Sequence, residues 1–342
     1  MRAVVLSGTG GPEKMIVEER PDPAVGPGEI RIEVRAAGIN FAELLARSGV
    51  YPDAPKPPSV LGYEVSGVIE TVGPGVEAFA VGDEVFAPTL FGGQAELVTV
   101  PAGDVYRKPE RFSHEQAAAL PVNYCTAIAA IVVMGGLRAG QRILIHAAAG
   151  GVGTAAVQIA AEIGAEVYGT ASPGKHDAIR ELGVDHPIDY RSQDFAEVVR
   201  ELTDGEGVDV IIDAQGPTSF RKDYRILRPG GRLIMFGLSE VQGAHGFLDR
   251  RALSALVRMP FATAPWWKSL AGMTENKGTF GLNLLDWWKD EGLGRLGTML
   301  QERLDAGQFE PVVAKTFSFS DAPEAHRYIE GRQNIGKVLL EP

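Results

Sequence analysis

His146-Ala147-Ala148-Ala149-Gly150-Gly151-Val152-Gly153 is the stretch whose reading decides the fold. The apolar run Arg142 to His146 before it reads as a strand, and the small residues from Gly153 to Gly164 read as a helix. A glycine-rich turn between strand and helix lets backbone amides approach a pyrophosphate, with the helix N-terminus adding partial positive charge. Ala149, Gly150, Gly151, Val152 and Gly153 are therefore the candidate dinucleotide cradle. Gly150 and Gly151 permit close approach, and Gly153 lets the helix pack on its strand. Ala148 stands where the usual fingerprint has its first glycine, which is tolerable if φ there stays negative. Without a ligand the same residues would make only a tight turn, so the flanking pattern has to decide.

That pattern alternates strand and helix. Strands are expected at Glu166 to Gly169, Val208 to Asp213 and Arg232 to Phe236, with helices at Gly174 to Gly183 and Ser219 to Leu227. Continuous apolar strands separated by helices of this length predict a parallel sheet covered on both faces, a doubly wound Rossmann α/β domain. Cofactor choice is read where the strand after the turn ends, since a carboxylate there accepts from a ribose 2′-hydroxyl and repels a 2′-phosphate. Val167 to Lys175 contains none. Ser172 can donate a hydrogen bond and Lys175 supplies a charge, both suited to a phosphate dianion. Tyr190, after the following short strand, could pack on or bond the same group. NADPH is thus expected over NADH, although Lys175 is also readable as a solvated lysine at a helix start.

The flanks differ in style. Residues 1 to about 110 carry short apolar runs and Gly/Pro turns, with period-two alternation in Ile30-Arg31-Ile32-Glu33-Val34. Many short strands suggest a partly open barrel, interrupted by a helix at about Asn40 to Ser48. Ser113-His114-Glu115-Gln116 has the form of a capping box. The tail resumes short elements: a helix at Leu293 to Ala306, strands at Val312-Val313 and Thr316 to Phe319, a helix at Pro323 to Glu330 and a strand at Ile335 to Leu340. The expected layout is a substrate domain formed by 1–121 and 286–342, with a nucleotide domain, 122–285, inserted in it.

A formal charge of −11 disfavours nucleic acid and anionic lipid as partners. The single cysteine, Cys125, excludes an intramolecular disulfide and a multi-thiolate zinc site, and an N-terminus without a secretory pattern is expected of a cytoplasmic protein. Ala117 to Leu137 carries no charge over a length that could span a bilayer, but Pro121, Asn123 and Gly135-Gly136 interrupt it. It reads as a buried helix, so no membrane span is expected.

The chain resembles the medium-chain dehydrogenase/reductase superfamily nearly throughout. The resemblance is carried by Ala36-Ala37-Gly38-Ile39-Asn40-Phe41-Ala42-Glu43, Gly62-Tyr63-Glu64, Gly82-Asp83-Glu84-Val85, the glycine turn, and Lys277 to Gly281. Within it the chain is similar to the quinone-oxidoreductase branch, and in particular to vesicle amine transport protein homologues, through Asn40 to Arg47, His186 to Tyr190 and Asn334 to Leu340. This implies a GroES-like outer domain and hydride transfer from NADP(H) to a quinone or conjugated carbonyl. Zinc-dependent members of the superfamily hold their metal with Cys and His, where this chain has Asn40 and Tyr63. Amide and phenol do not replace thiolate and imidazole, so no metal is expected, and Glu43 and Glu64 are read as salt-bridged or hydrogen-bonded scaffold.

By the resemblance Asn40 lies near the nicotinamide and tyrosines line the pocket, so Asn40, Tyr51 and Tyr63 are the candidate donors to a developing oxyanion. Asn40 could instead cap its helix, and Tyr51, before Pro52, could anchor a loop. The same resemblance puts Thr126, Phe236, Gly237, Phe280, Leu282 and Asn334 against the cofactor. Cys125 and His146 read as structural. Of the pairs Trp266-Trp267 and Trp287-Trp288, one member each is expected in the core. An apolar edge strand near 277–285 suggests a homodimer. Two other functions stay open: an enoyl-thioester reductase with the same nucleotide site, and a low-turnover NADPH-binding regulatory or vesicle-associated protein.

Overall fold

The computed structural model describes residues 1–240, 272–291 and 294–342, with side chains for all of these except 289–291. The pair Trp266-Trp267 lies outside them. Two compact units emerge, one of Met1–Cys125 with Leu285–Pro342 and the other of Thr126–Leu284.

The first unit begins with β1 (Arg2–Leu6), β2 (Met15–Glu19), β3 (Glu29–Ile39), α1 (Phe41–Arg47) and β4 (Ser59–Val60). Then follow β5 (Glu64–Val72), β6 (Glu84–Pro88), β7 (Leu97–Pro101), β8 (Tyr106–Arg107) and α2 (His114–Ala118). α2 starts on the expected capping box, Ser113 Oγ accepting from Gln116 N at 3.3 Å while Gln116 Oε1 accepts from Ser113 N at 3.1 Å. The uncharged stretch that follows is broken as Pro121 requires. α3 (Pro121–Ile128) passes into a wide π turn over Ala129–Met134, and Ala127 to Ile131 are fully buried. Among the described residues no helix is long and apolar enough to cross a membrane.

The second unit carries β9 (Arg142–Ile145), α4 (Gly151–Ile163), β10 (Glu166–Ala171), α5 (His176–Glu181), β11 (His186–Asp189) and α6 (Phe195–Leu202). It ends with β12 (Val208–Asp213), α7 (Pro217–Ile226), β13 (Leu227–Met235) and β14 (Gly278–Gly281). Its sheet runs β11-β10-β9-β12-β13-β14 with every pair parallel. That is the Rossmann order, whose direction reverses between β9 and β12. Its core is built of branched and aromatic side chains, including Leu144, Tyr168, Ile188, Ile211 and Leu233. Several bounds shift by a few residues from expectation, and one helix is additional. The helix expected from Gly174 starts at His176, because Pro173–Lys175 closes a 3-10 turn first, and α6 was not foreseen.

The tail returns to the first unit as α8 (Leu284–Glu291), α9 (Gly294–Asp305), β15 (Val313–Ser318), α10 (Ala322–Glu330) and β16 (Lys337–Glu341). The two short strands expected between 312 and 319 are one strand. β16 pairs with β3, Leu339 opposite Gly38, in the sheet β15-β16-β3-β5-β6-β8, and β7 also pairs with β3. Trp288 is the buried member of its pair, its indole donating to Asp104 at 3.4 Å.

Candidate functional site

In the second unit the glycine turn leaves the carboxyl end of β9 at the point where strand order reverses, the usual crevice for a dinucleotide. Ala147, and not Ala148, takes the left-handed conformation, with φ 52°. Its amide is held by Thr170 Oγ1 at 3.1 Å, and Ala148 N donates to Thr170 O at 3.0 Å. Gly150 caps α4 with φ −77°, and Gly151, Val152 and Gly153 form the first turn, whose amides a helix leaves for an outside acceptor. Gly153 is obligatory on contact grounds: a Cβ there would lie 2.2 Å from Ala147 O and 2.8 Å from Ala148 Cα. The same holds at Gly237, where a Cβ would meet Ala214 O at 2.8 Å. The backbone thus forms a close-approach cradle that fits a pyrophosphate.

At the end of β10, Ser172 precedes the turn that contains Lys175, and β11 runs alongside with Ala171 opposite Asp189. That register sets Tyr190 and Arg191 beside Ser172 and Pro173. Arg191, its guanidinium 5.9 Å from the Tyr190 ring centre, is a cation that the sequence reading missed. Position beside a strand end was the signal available. Phe236 donates its amide to Asp213 O at 2.9 Å and Leu282 donates to Met235 O at 2.9 Å, so both follow the carboxyl ends of their strands. Thr126 is buried, whereas Phe280 is 40% exposed on β14.

The first unit holds the other candidates. Asn40 opens α1, and its side chain is engaged on both sides. Lys337 Nζ donates to Asn40 Oδ1 at 2.6 Å, and Asn40 Nδ2 donates to Glu64 Oε1 at 3.0 Å and Glu43 Oε1 at 3.4 Å. Lys337 also forms an ion pair with Glu64, whose other oxygen accepts from Val122 N at 2.7 Å. Both Glu43 and Glu64 are fully buried, as the scaffold reading expected. Gly38 makes room for this pairing, since a Cβ there would meet Glu64 Oε1 at 2.5 Å and Lys337 Cε at 2.7 Å. Lys337 was not foreseen. It supplies a buried cation between Asn40 and Glu64.

Burial pushes the Glu43 carboxyl up to about 8, against the opposing pull of Lys337 and of the Asn40 hydrogen bonds. Near neutrality it therefore carries a proton. Gln94 Nε2 faces Glu43 Oε2 while Gln94 Oε1 is buried without a partner among the described residues. A flip of that amide gives the Glu43 proton an acceptor. The folded state thus holds a proton that the unfolded chain gives up near 4.5, so this group's contribution to stability falls as pH rises from there to about 8. Glu43→Gln has no proton to lose. Denaturant unfolding across this window is expected to move in the variant's favour by about 1 kcal/mol per pH unit, and parallel curves would refute a protonated Glu43.

Tyr63 is 5% exposed, and its buried hydroxyl lies beside the Tyr51 phenol, each raising or lowering the other's proton affinity. Burial raises both phenols, Tyr51 to about 12, so both remain donors at neutral pH. Burial also raises the Cys125 thiol to about 12, which makes it inert. Asn334 donates to Gly336 O at 2.8 Å, a bond that shapes the entry to β16.

Comparison with known proteins agrees with this architecture. Residues 26–110 match the alcohol dehydrogenase GroES-like domain and residues 182–340 match the zinc-binding dehydrogenase family. The rat synaptic vesicle membrane protein VAT-1 homolog is 36% identical over all of this chain and 84% of its own length. The CurK enoyl reductase structure is 28% identical with a TM-score of 0.85, covering 99% of this chain and 98% of that one. Escherichia coli quinone oxidoreductase complexed with NADPH is 27% identical with a TM-score of 0.84, each chain covered fully. A Rossmann sheet with a glycine turn at its switch point, an outer GroES-like unit and these full-length similarities lead to one conclusion: the chain belongs to the medium-chain dehydrogenase/reductase family of oxidoreductases, alongside the VAT-1 homologues.

Proposed function

We propose that the chain is an NADPH-dependent reductase that delivers hydride to a quinone or another conjugated carbonyl without zinc. The observation that carries this is the glycine cradle at the switch point, followed by a strand end with hydroxyl and cationic side chains and no carboxylate. NADPH, when bound, supplies the hydride. Gly151, Val152 and Gly153 would hold the pyrophosphate by their amides, and Ser172, Lys175, Tyr190 and Arg191 would hold the 2′-phosphate. Thr126, Phe236, Gly237, Phe280, Leu282 and Asn334 remain its proposed neighbours. In the outer unit Tyr63 and Tyr51 are the proposed donors to the substrate oxyanion, since burial keeps both adjacent phenols protonated at neutral pH. Asn40 sends its amide hydrogens to Glu64 and Glu43, so its proposed part is to position this wall of the pocket. Lys337 supplies the positive charge there, which supports chemistry without a metal.

The test is NADPH oxidation against small quinones, enals and enoyl thioesters, with metal content measured on the same sample. Turnover of quinones or enones is expected, with Lys175→Ala lowering the NADPH-over-NADH preference about ten-fold. Equal use of both nucleotides by the wild type would remove the cofactor assignment. The similarity to CurK favours a second reading, reduction of an enoyl thioester, which the same panel separates. Tight NADPH binding with no oxidation would instead favour the regulatory or vesicle-associated role. The buried single cysteine suits a cytoplasmic location. β14 ends the sheet of the second unit with a partly exposed apolar face, so we propose pairing with a second copy there. Sedimentation of monomer alone at micromolar concentration would count against it.

A further inference from the structure

His146 directly follows β9 and precedes the glycine turn, and Asp213 closes the neighbouring β12. Both are buried at the switch point with Asp223 of α7, all three at most 1% exposed. His146 Nε2 lies 2.8 Å from Asp223 Oδ1. Its Nδ1 faces the Gln215 side-chain amide at 2.6 Å, whose oxygen accepts once that amide is turned, and Thr170 Oγ1 at 3.2 Å, the same hydroxyl that holds the amide of Ala147. Asp213 accepts from Gln215 N and from Ser219 Oγ, and its carboxyl also faces that of Asp223, to which it donates when protonated. Other elements packed on the trio bring Phe195, edge-on to the imidazole at 4.6 Å, and Glu240, whose carboxylate accepts from Thr218. One ligand atom from each of the trio lies within 4.8 Å of the others, an arrangement that their bonds to one another already explain.

Charge bookkeeping then gives the trio two states. The imidazolium and the Asp223 carboxylate cancel, and the Asp213 carboxyl is either neutral or a third, uncompensated charge. We propose that this trio is a proton-operated positioning device for the dinucleotide: with Asp213 protonated the ground under the glycine turn is neutral and the phosphates are held, and loss of that proton puts a negative charge beneath them and loosens the grip. The inference rests on the NADPH reading above and adds its regulation by pH.

The direction of both shifts agrees with the geometry. Burial opposes charge on His146, but the carboxylates of Asp223 and Asp213 outweigh it and raise the imidazole to about 9. Burial raises the Asp213 carboxyl, against His146 and with Asp223, to about 7. Phosphates prefer the protonated trio, so binding takes up a proton and affinity falls as pH rises through the Asp213 transition.

NADPH affinity of the full chain, read from nicotinamide fluorescence between about pH 6 and about pH 8.5, tests this against Asp213→Asn, which mimics the protonated carboxyl. The titration of the 2′-phosphate itself is common to both proteins and cancels in their ratio. Wild-type Kd is expected to rise about five-fold relative to the variant across this range. Carboxyl carbon NMR of the wild type, which needs no variant, is expected to show Asp213 protonated at about pH 6 and shifted to higher pH when NADPH binds. A constant ratio of affinities, a carboxylate already ionised at that pH, or one tightly bound divalent ion per chain would overturn the proposal. Absence of NADPH binding at every pH would instead remove the cofactor reading, and this inference with it.

Discussion

Gly153→Ala is expected to weaken NADPH binding about a hundred-fold or more. The added methyl would sit 2.2 Å from Ala147 O and 2.8 Å from two backbone atoms of Ala148. Backbone cannot rotate out of the way as a side chain can, so α4 must lift from the strand end. The amides of its first turn move with it, and displacement of about 1 Å at such a site costs on the order of a hundred-fold. Overpacking adds about 1–3 kcal/mol of destabilisation. Gly103→Ala is the control, because it lies outside the nucleotide unit and a Cβ there would meet nothing within 4 Å. Calorimetry with NADPH decides the matter. Affinity within about three-fold of wild type for Gly153→Ala would show that α4 has another seat.

The second large effect is expected in the outer unit. Lys337→Met leaves Glu64 fully buried beside a hydrophobic side chain, with the Asn40 amide and the Val122 amide as its remaining donors. Breaking a buried pair in this way costs about 3–5 kcal/mol, mostly as the penalty of an uncompensated charge. Lys337→Met combined with Glu64→Gln removes both charges and is expected to recover most of that loss. Denaturant unfolding of the two single variants and the double variant completes the cycle. If the losses of the singles simply add, Lys337 and Glu64 do not act as a pair. The same cycle read by turnover separates folding from positioning, since the double variant, once stable, still lacks the cation that holds Asn40.

These contrasts also explain what could be read from residues alone. The glycine turn was legible because only small residues let α4 meet β9, and the apolar strands announced a sheet covered on both faces. Local signals such as the Ser113 capping box and the break at Pro121 act within a few residues and were equally clear. Lys337 was not legible: its partners Asn40 and Glu64 lie some three hundred residues away, and Lys-Val-Leu-Leu reads as any amphipathic strand. Asp223 was hidden similarly, as one acid in a polar helix whose inward face only the packing of α7 on β12 reveals. α6 escaped because its charges, Glu197, Arg200 and Glu201, dilute a buried stripe of Phe195, Ala196 and Val199. The engaged amide of Asn40 shows the limit of a residue-by-residue reading. The side chain named as a donor to substrate spends its hydrogens on the carboxyl groups of Glu43 and Glu64, the second of which no local pattern places beside it.

The pairing of β16 with β3 has a consequence for biosynthesis. The Rossmann unit is contiguous in the chain and can close on itself while translation continues, whereas the outer sheet keeps a vacancy next to β3 until its final strand emerges. That strand brings both the missing backbone partners and the ammonium that neutralises Glu64. A nascent chain therefore carries an unmatched carboxylate and an open sheet edge until β16 is made, and closure of the outer sheet waits on a strand some three hundred residues after β3.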